Sequence, residues 1–315
     1  MSILNLSSED VSKAGEDNRT GPSKMAGIVA LIRADESRKP EVERICYDPY
    51  AIRFVDTAML ELMIHYPEQF RAEMDRQNRL MPGLANSLVA RVRFFDEQVK
   101  ASVDDGCEQV VTLGAGYDTR AYRIEGIEKA RVFEVDQQDT IRAKEEKIRE
   151  IFGSLPGHVT YVPADLIAAP LGRCLGESGY DRSVKTLFVL EGLVYYLPPE
   201  AVDELFAFIA HNSGRGSVVL FDYGRVGSEK DMAGYAYAAN FAKQQGEPVK
   251  SMVRGPIREF LKVRGFSLVK NMDNEDVKKA YFHGKNAGRD VSDRSSFAYA
   301  EVAGPVVQAE QEDLT

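Results

Sequence analysis

Residues 109–120, QVVTLGAGYDTR, run from an unbroken apolar stretch straight into a glycine turn. Continuous rather than alternating hydrophobicity suits a parallel strand covered on both faces. Gly114 and Gly116 leave room for a ligand to approach backbone where any side chain would collide. Four more runs of this kind follow: RVFEVD, VTYVPAD, KTLFVLEG and SVVLFDYG. Helix-compatible segments such as DTIRAKEEKIREIF and PPEAVDELFAFIAHN separate them. This alternation predicts an α/β fold with an open, doubly wound sheet. FSLVKNM and SSFAYAEVA read as closing strands, the last antiparallel, so that seven mostly parallel strands result.

Upstream of the turn, from Ala26 to Lys100, apolar residues recur at helical spacing in MAGIVALIRA, DPYAIRFVDTAMLELMI and SLVARVRFFDEQVKASV. Asp48-Pro49 fits an N-cap with proline at the first helical position and predicts a helix through Met63. Beyond Asp222 a polar, glycine- and tyrosine-containing stretch is too long for an ordinary connection and sits at the carboxyl edge of the sheet. It reads as a lid or as a packed surface subdomain. One domain is expected over 25–307, comprising a helical cap (25–105), a ligand-binding core (106–223), the lid insertion (224–256) and a closing helix and strands (257–307). A mobile polar N-terminus (1–24) and an acidic tail (308–315) flank it.

The 315 residues, 44% hydrophobic and 28% charged, have ordinary globular composition, which excludes collagen-like, disordered and disulfide-dense classes. A formal charge of −9 with no basic patch argues against nucleic acid as a partner. Cys46, Cys107 and Cys174 lie far apart without metal-ligand spacing, so free thiols in a reducing cytoplasm, and no metal, are expected. The first residues lack the pattern of a signal peptide, and no apolar run reaches the roughly 18 residues of a membrane span. Nothing in the sequence speaks to oligomeric state.

In LGAGYDTR the third glycine of a dinucleotide fingerprint is replaced by Thr119, so a nucleoside without a pyrophosphate is favoured over NAD. Gly114, Ala115 and Gly116 are candidate ligand contacts. So are Glu134 and Asp136 in FEVD, since a carboxylate at the end of the second strand can accept both ribose hydroxyls. Asp136 also reads as a helix N-cap. Asp165 and Leu166, ending the third strand, could meet an adenine amino group and pack on its ring. Glu191 leaves an apolar strand as a carboxylate, a costly placement without a ligand or an arginine partner. Tyr195 and Tyr196 beyond it read as core aromatics or as acceptor-pocket residues.

These pieces in this order resemble the leucine carboxyl methyltransferase family, in its bacterial and archaeal branch. The resemblance spans SKMAGIVALIRA, YDPYA, ARVRFFDEQV, QVVTLGAGYDTRAYRI, VFEVDQ, VPADL and LEGLVYYLPPEAV. It implies a class I methyltransferase that moves the methyl of S-adenosylmethionine to an oxygen, carboxylate or hydroxyl, of a small-molecule or peptide acceptor. It also implies roles: Arg91 is similar to the arginine that grips the methionine carboxylate and Gly114 to the glycine beneath that moiety, while Asp136 matches the ribose acid. Asp165 and Leu166 resemble the adenine pair, and Glu191 the acidic residue at the methionine end. Arg120 and Tyr122 belong to the motif without an assigned role, and Lys24 resembles a family lysine near the cofactor.

No catalytic residue is identified; Glu191 and Tyr195 are positioning candidates. A carboxylate acceptor needs no base, whereas a hydroxyl does, for which His65, His211 and His283 are candidates. Two rivals remain. An NAD-dependent oxidoreductase would share the glycine turn, and Tyr281 and Lys285 have short-chain dehydrogenase spacing. A non-catalytic cofactor-binding scaffold would keep the same residues without transfer.

Overall fold

A computed structural model describes residues 21–224 and 232–303. Most of the polar N-terminus, the acidic tail and the first part of the 224–256 insertion therefore lie outside the described residues. The elements follow the chain as α1 (Lys24–Ser37), α2 (Thr57–His65), α3 (Pro67–Leu80), α4 (Leu84–Asp104), β1 (Gln109–Leu113), α5 (Arg120–Arg123), β2 (Arg131–Asp136) and α6 (Gln138–Phe152). Then come β3 (Val159–Pro163), α7 (Leu171–Glu177), β4 (Thr186–Leu190), α8 (Pro199–His211) and β5 (Val218–Gly224). After α9 (Met232–Gln244), α10 (Ile257–Lys262), β6 (Phe266–Met272) and α11 (Asn274–Tyr281), β7 (Ser295–Val302) closes the sheet.

All seven expected strands form, in the order β3-β2-β1-β4-β5-β7-β6. The first five pair in parallel, and β7 runs antiparallel between β5 and β6. The strand order reverses between β1 and β4, and in such sheets the crevice at that switch point, beyond the carboxyl ends, receives the ligand. Every residue of β1 and β4 is buried because helices cover both faces. Along β1, Val111 and Leu113 enter one core with Phe206 and Ile209 of α8, while Val110 enters the other with Val92, Phe95 and Val99 of α4. Period-two alternation thus divides one apolar strand between two cores. At the edge, β3 is only half-buried and departs from the expectation of full coverage. The opposite edge, β6, carries a bulge between Leu268 and Lys270, an irregularity that blunts edge pairing.

The expected helix from Asp48 to Met63 is corrected. A short 3-10 turn, Ala51–Phe54, is followed by extended Val55, and Asp56 then caps α2 by accepting the amides of Ala58 and Met59. Asp48 does accept the amides of Tyr50 and Ala51 through Oδ1, but Oδ2 accepts from Thr119, which anchors the turn to the sheet instead of starting a longer helix. The N-terminal helices hold a small core of their own, including Leu31, Met63 and Phe70.

Candidate active site

The β1 strand ends in Gly114 and Gly116 with φ of +66° and +42°, and a side chain on either would crowd its neighbour. A Cβ on Gly114 would lie 3.0 Å from Leu193 Cδ1, and one on Gly116 would lie 3.2 Å from the Ala26 methyl. The turn is held from the next strand: Ala115 N donates to Val135 O at 3.0 Å, and Gly116 N donates to Asp136 Oδ2 at 2.7 Å. Asp136 Oδ1 accepts the Gln137 amide at 2.7 Å. Its carboxylate is therefore locked in plane between the glycine turn and the start of α6; Gln137, not Asp136, is the N-cap residue of that helix.

A cavity of about 540 Å³ opens over this edge, within the roughly 300–1,000 Å³ usual for ligand sites. Arg91, Gly114, Ala115, Gly116, Asp136, Asp165, Leu166, Glu191 and Tyr195 all line it. Asp165 stands exposed at its far end with Oδ1 accepting the Ile167 amide at 2.8 Å, and Leu166 is half-buried beside it.

Opposite Asp165 lies a buried charge network. Arg91 donates from Nε to Glu191 at 2.9 Å and from Nη1 to Asp222 at 2.7 Å and to the Tyr195 hydroxyl at 3.1 Å. Arg120 donates to the other Glu191 oxygen at 2.5 Å, to Asp118 at 2.6 Å and to Asp96 at 2.7 Å. Arg123 pairs with Asp96 and Asp48, and Arg33 with Asp48. Burial alone would raise the Glu191 carboxyl, but Arg120 and Arg91 outweigh it and hold it below the ordinary glutamate value. Asp118 is lowered too, burial again opposing and Arg120 prevailing. Burial and the Asp222 charge push the Tyr195 phenol far up, so it remains a neutral hydroxyl. Four guanidiniums, Arg33, Arg91, Arg120 and Arg123, face five carboxylates, Asp48, Asp96, Asp118, Glu191 and Asp222, so this network, which reaches the cavity at Arg33, Arg91, Asp118, Glu191 and Asp222, carries one excess negative charge when all are ionised.

Several sequence candidates stand elsewhere. Glu134 is fully buried outside the cavity lining, ion-paired to Lys144 at 2.9 Å and accepting from Tyr122 at 2.8 Å. Burial raises its carboxyl and Lys144 pulls against that shift. The motif residues without a role now have structural ones, Arg120 in the network and Tyr122 over Glu134. Lys24 is exposed, and its neighbours Ser23 and Met25 line the cavity in its place. His65, His211 and His283 are exposed and line no part of the cavity, so none is placed as a base. Tyr281 donates to Glu97 on α4, away from the glycine turn, against a dehydrogenase arrangement.

Sequence reading missed Asp222, Lys144 and the Ser23–Glu247 bond of 2.9 Å. Asp222 was findable, since it lies near the carboxyl end of β5 as Glu191 follows β4. Lys144, with no exposed surface, sits on a helix whose one other lysine, Lys147, is solvated, and only packing singles it out. The insertion supplies Ala239, Ala242, Glu247, Lys250 and Met252 to one wall of the cavity, and Lys250 N bonds Tyr195 O at 2.7 Å.

The chain is similar to several known proteins. The sequence profile described as leucine carboxyl methyltransferase matches residues 26–210. A protein of Mycolicibacterium smegmatis, named "Putative S-adenosyl-L-methionine-dependent methyltransferase", is 36% identical over 199 residues, 63% of this chain and 64% of its own length. A relative of the same name from Mycobacterium sp. strain JLS is 30% identical over 250 residues, 77% of this chain and 82% of its own. The match thus spans under two thirds of the first curated relatives. Two crystal structures share the fold at 16% identity and a TM-score of 0.57. They are a DUF574 family protein from Streptomyces avermitilis (86% of this chain, 96% of that one) and a protein described as a methyltransferase from Thermobifida fusca (94% and 98%).

Proposed function

We propose, from the premise that this chain belongs to the leucine carboxyl methyltransferase family, that it transfers the methyl group of S-adenosylmethionine to an oxygen of a small-molecule or peptide acceptor, and that this oxygen belongs to a carboxylate. The observation that carries the reading is one cavity lined in sequence by Asp165 and Leu166, by Asp136 over the glycine turn, and by Arg91 and Glu191. A nucleoside fits the first end, with the adenine at Asp165 and the ribose at Asp136. An amino-acid group fits the other.

The residues present suit that cofactor. Side chains at Gly114 or Gly116 would crowd the cradle, and the Arg91 Nη2 has no hydrogen bond among the described residues. Since Nε and Nη1 are taken by Glu191 and Asp222, Arg91 would hold a methionine carboxylate through Nη2 rather than through a full fork. Thr119, in place of the dinucleotide glycine, is fully buried and donates to Asp48 at 2.7 Å, so it offers nothing to a pyrophosphate.

When bound, S-adenosylmethionine supplies an already activated methyl on a sulfonium. The protein contributes alignment and exclusion of water, which can lower a barrier by roughly 7–11 kcal/mol when geometry is good. The acceptor oxygen forms the new bond to the methyl carbon as the carbon–sulfur bond breaks, with that electron pair passing to sulfur. A carboxylate oxygen needs no proton removed. That matters because none of the four histidines lines the cavity and the Tyr195 phenol is held neutral. The excess negative charge of the arginine–carboxylate wall favours a cofactor of net positive charge over its neutral product, which assists product release. Screening metabolites and peptides for labelled methyl transfer tests the reading. A product cleaved by mild alkali is the expected ester; an alkali-stable ether would overturn the carboxylate, and transfer to nitrogen or carbon would overturn the oxygen.

A further inference from the structure

Four cationic side chains line the cavity: Arg33, Arg91, Lys250 and Arg294. Arg33 is held by Tyr117 O and Asp48, and Arg91 by Glu191, Asp222 and Tyr195. The Lys250 ammonium has no ion pair among the described residues but is not sealed from solvent. Arg33 Nε is shielded from solvent without a hydrogen bond but lies 3.5 Å from the Asp48 carboxylate. Arg294 has no such counter-charge: its Nε and Nη1 are shielded from solvent without a hydrogen-bond partner among the described residues, and no carboxylate among them pairs with it. Sealing donors of a permanent cation without an acceptor is costly, and a ligand anion would relieve it.

The place of Arg294 fits the methyl acceptor. It immediately precedes β7, whose first residue Ser295 pairs with Gly224 at the carboxyl end of β5. Two residues earlier, Ser292 is bonded through its amide to Gly83 O at 3.2 Å and through its carbonyl to Ser87 at 3.1 Å. The segment is thereby fixed to the first turn of α4. Arg91 lies one helical turn beyond Ser87, roughly 6 Å along the axis, so Arg294 stands about one turn outward from the methionine end of the site. The chamber on that side is mostly apolar, with Glu73, Gln77 and Asn78 of α3 as its polar members. Met25, Met59, Met74, Met81 and Met252 line the cavity, five of the chain's nine methionines. Unbranched thioether side chains adapt to aliphatic shapes of varying outline.

We propose that Arg294 binds the carboxylate of the methyl acceptor, and that the acceptor is an amphipathic carboxylic acid whose apolar body occupies the methionine-lined chamber. The proposal rests on the methyl-transfer reading above. The guanidinium fork orients one carboxylate oxygen while the other remains free to attack, and no proton is transferred.

The test uses the full chain saturated with S-adenosylhomocysteine, with decanoate as probe and 1-decanol as its uncharged counterpart, both followed by calorimetric titration. Wild-type protein should bind decanoate at least tenfold more tightly than decanol. Arg294→Met should erase that preference while leaving decanol and S-adenosylhomocysteine binding unchanged, and Arg294→Lys should restore part of it. Retained S-adenosylhomocysteine binding shows that a variant is folded; should Arg294→Met not fold, the wild-type preference and its reduction in Arg294→Lys decide. Equal binding of decanoate and decanol to the wild type, or a preference that survives Arg294→Met, would overturn the proposal and leave the methyl-transfer reading standing. Failure of the wild type to bind S-adenosylhomocysteine overturns both.

Discussion

Arg91 and Glu191 stand 100 positions apart in the chain and meet with Nε 2.9 Å from Oε1. The same carboxylate takes Arg120 on its second oxygen, so one glutamate joins helix α4, the glycine turn and the end of β4. Removing it would take one of two carboxylate partners from Arg91 and one of three from Arg120, both buried. Breaking a buried pair in this way costs about 3–5 kcal/mol, so Glu191→Ala should lower unfolding stability on that scale in urea titration, and Glu191→Gln by less because an acceptor oxygen remains. A loss below about 1 kcal/mol in both would show that Arg91 and Arg120 are held by Asp222, Asp118 and Asp96 alone.

Binding of S-adenosylmethionine and S-adenosylhomocysteine should raise the melting temperature, while NAD and NADP should leave it unchanged. At a ligand concentration of 100 times the dissociation constant the stabilisation is about 2.7 kcal/mol. A shift with NAD and none with S-adenosylmethionine would reverse the assignment made from Thr119.

Asp136→Ala removes both a ribose acceptor and the carboxylate that holds Gly116 N at 2.7 Å. Cofactor affinity should fall by on the order of 1–3 kcal/mol, the range for leaving a buried polar group unpaired. Equilibrium dialysis on the folded variant measures it, and unchanged affinity would place the ribose elsewhere. Asp136→Asn should lose less, since its oxygen can still accept from Gly116.

The pH dependence follows from the direction of the shifts. Asp118 and Glu191 are held below their ordinary values, so in the folded state they release protons more readily than in the unfolded chain. Their contribution to stability is present above the unfolded carboxylate values of about 4 and is lost as pH falls through the lower folded values. Unfolding free energy should therefore be level from about pH 6 to 8 and decline below about pH 4.5. Single-turnover methyl transfer should also be nearly flat from about pH 6 to 8 for a carboxylate acceptor. A rate that falls through roughly pH 6.5 would point to a histidine base. Alanine at His65, His211 or His283 should change nothing, as all three are exposed and outside the cavity.

The wall formed by residues 236–252 should act as a lid. Hydrogen exchange there, and in α1, should slow when S-adenosylhomocysteine and an acceptor carboxylate are both present. Protection limited to residues 113–118 would refute closure.

The strands of this fold are legible in the sequence because a sheet covered on both faces imposes continuous apolar runs, and glycine at 114 and 116 is demanded by local geometry alone. The strand-end acids Asp136, Asp165 and Glu191 could be named for the same reason: a parallel sheet delivers successive carboxyl ends to one edge, so position along a strand predicts position in the site. Where Asp48-Pro49 misled, the missing information was tertiary. Its second oxygen is engaged by Thr119, 71 residues away, and no helix-start pattern encodes that partner. Glu134 and Asp136 are two residues apart on one strand and look equivalent in sequence. The structure separates them by packing: Glu134 is enclosed beside Lys144, and Asp136 opens onto the cavity. Long-range pairs such as Arg91 with Asp222, and the lack of a hydrogen-bond partner for Arg294 Nε and Nη1 among the described residues, arise only once separate elements are packed together. Local sequence determines which backbone each segment can adopt and which residue ends it, whereas the pairing of charges depends on three-dimensional proximity, and that the tertiary structure alone decides.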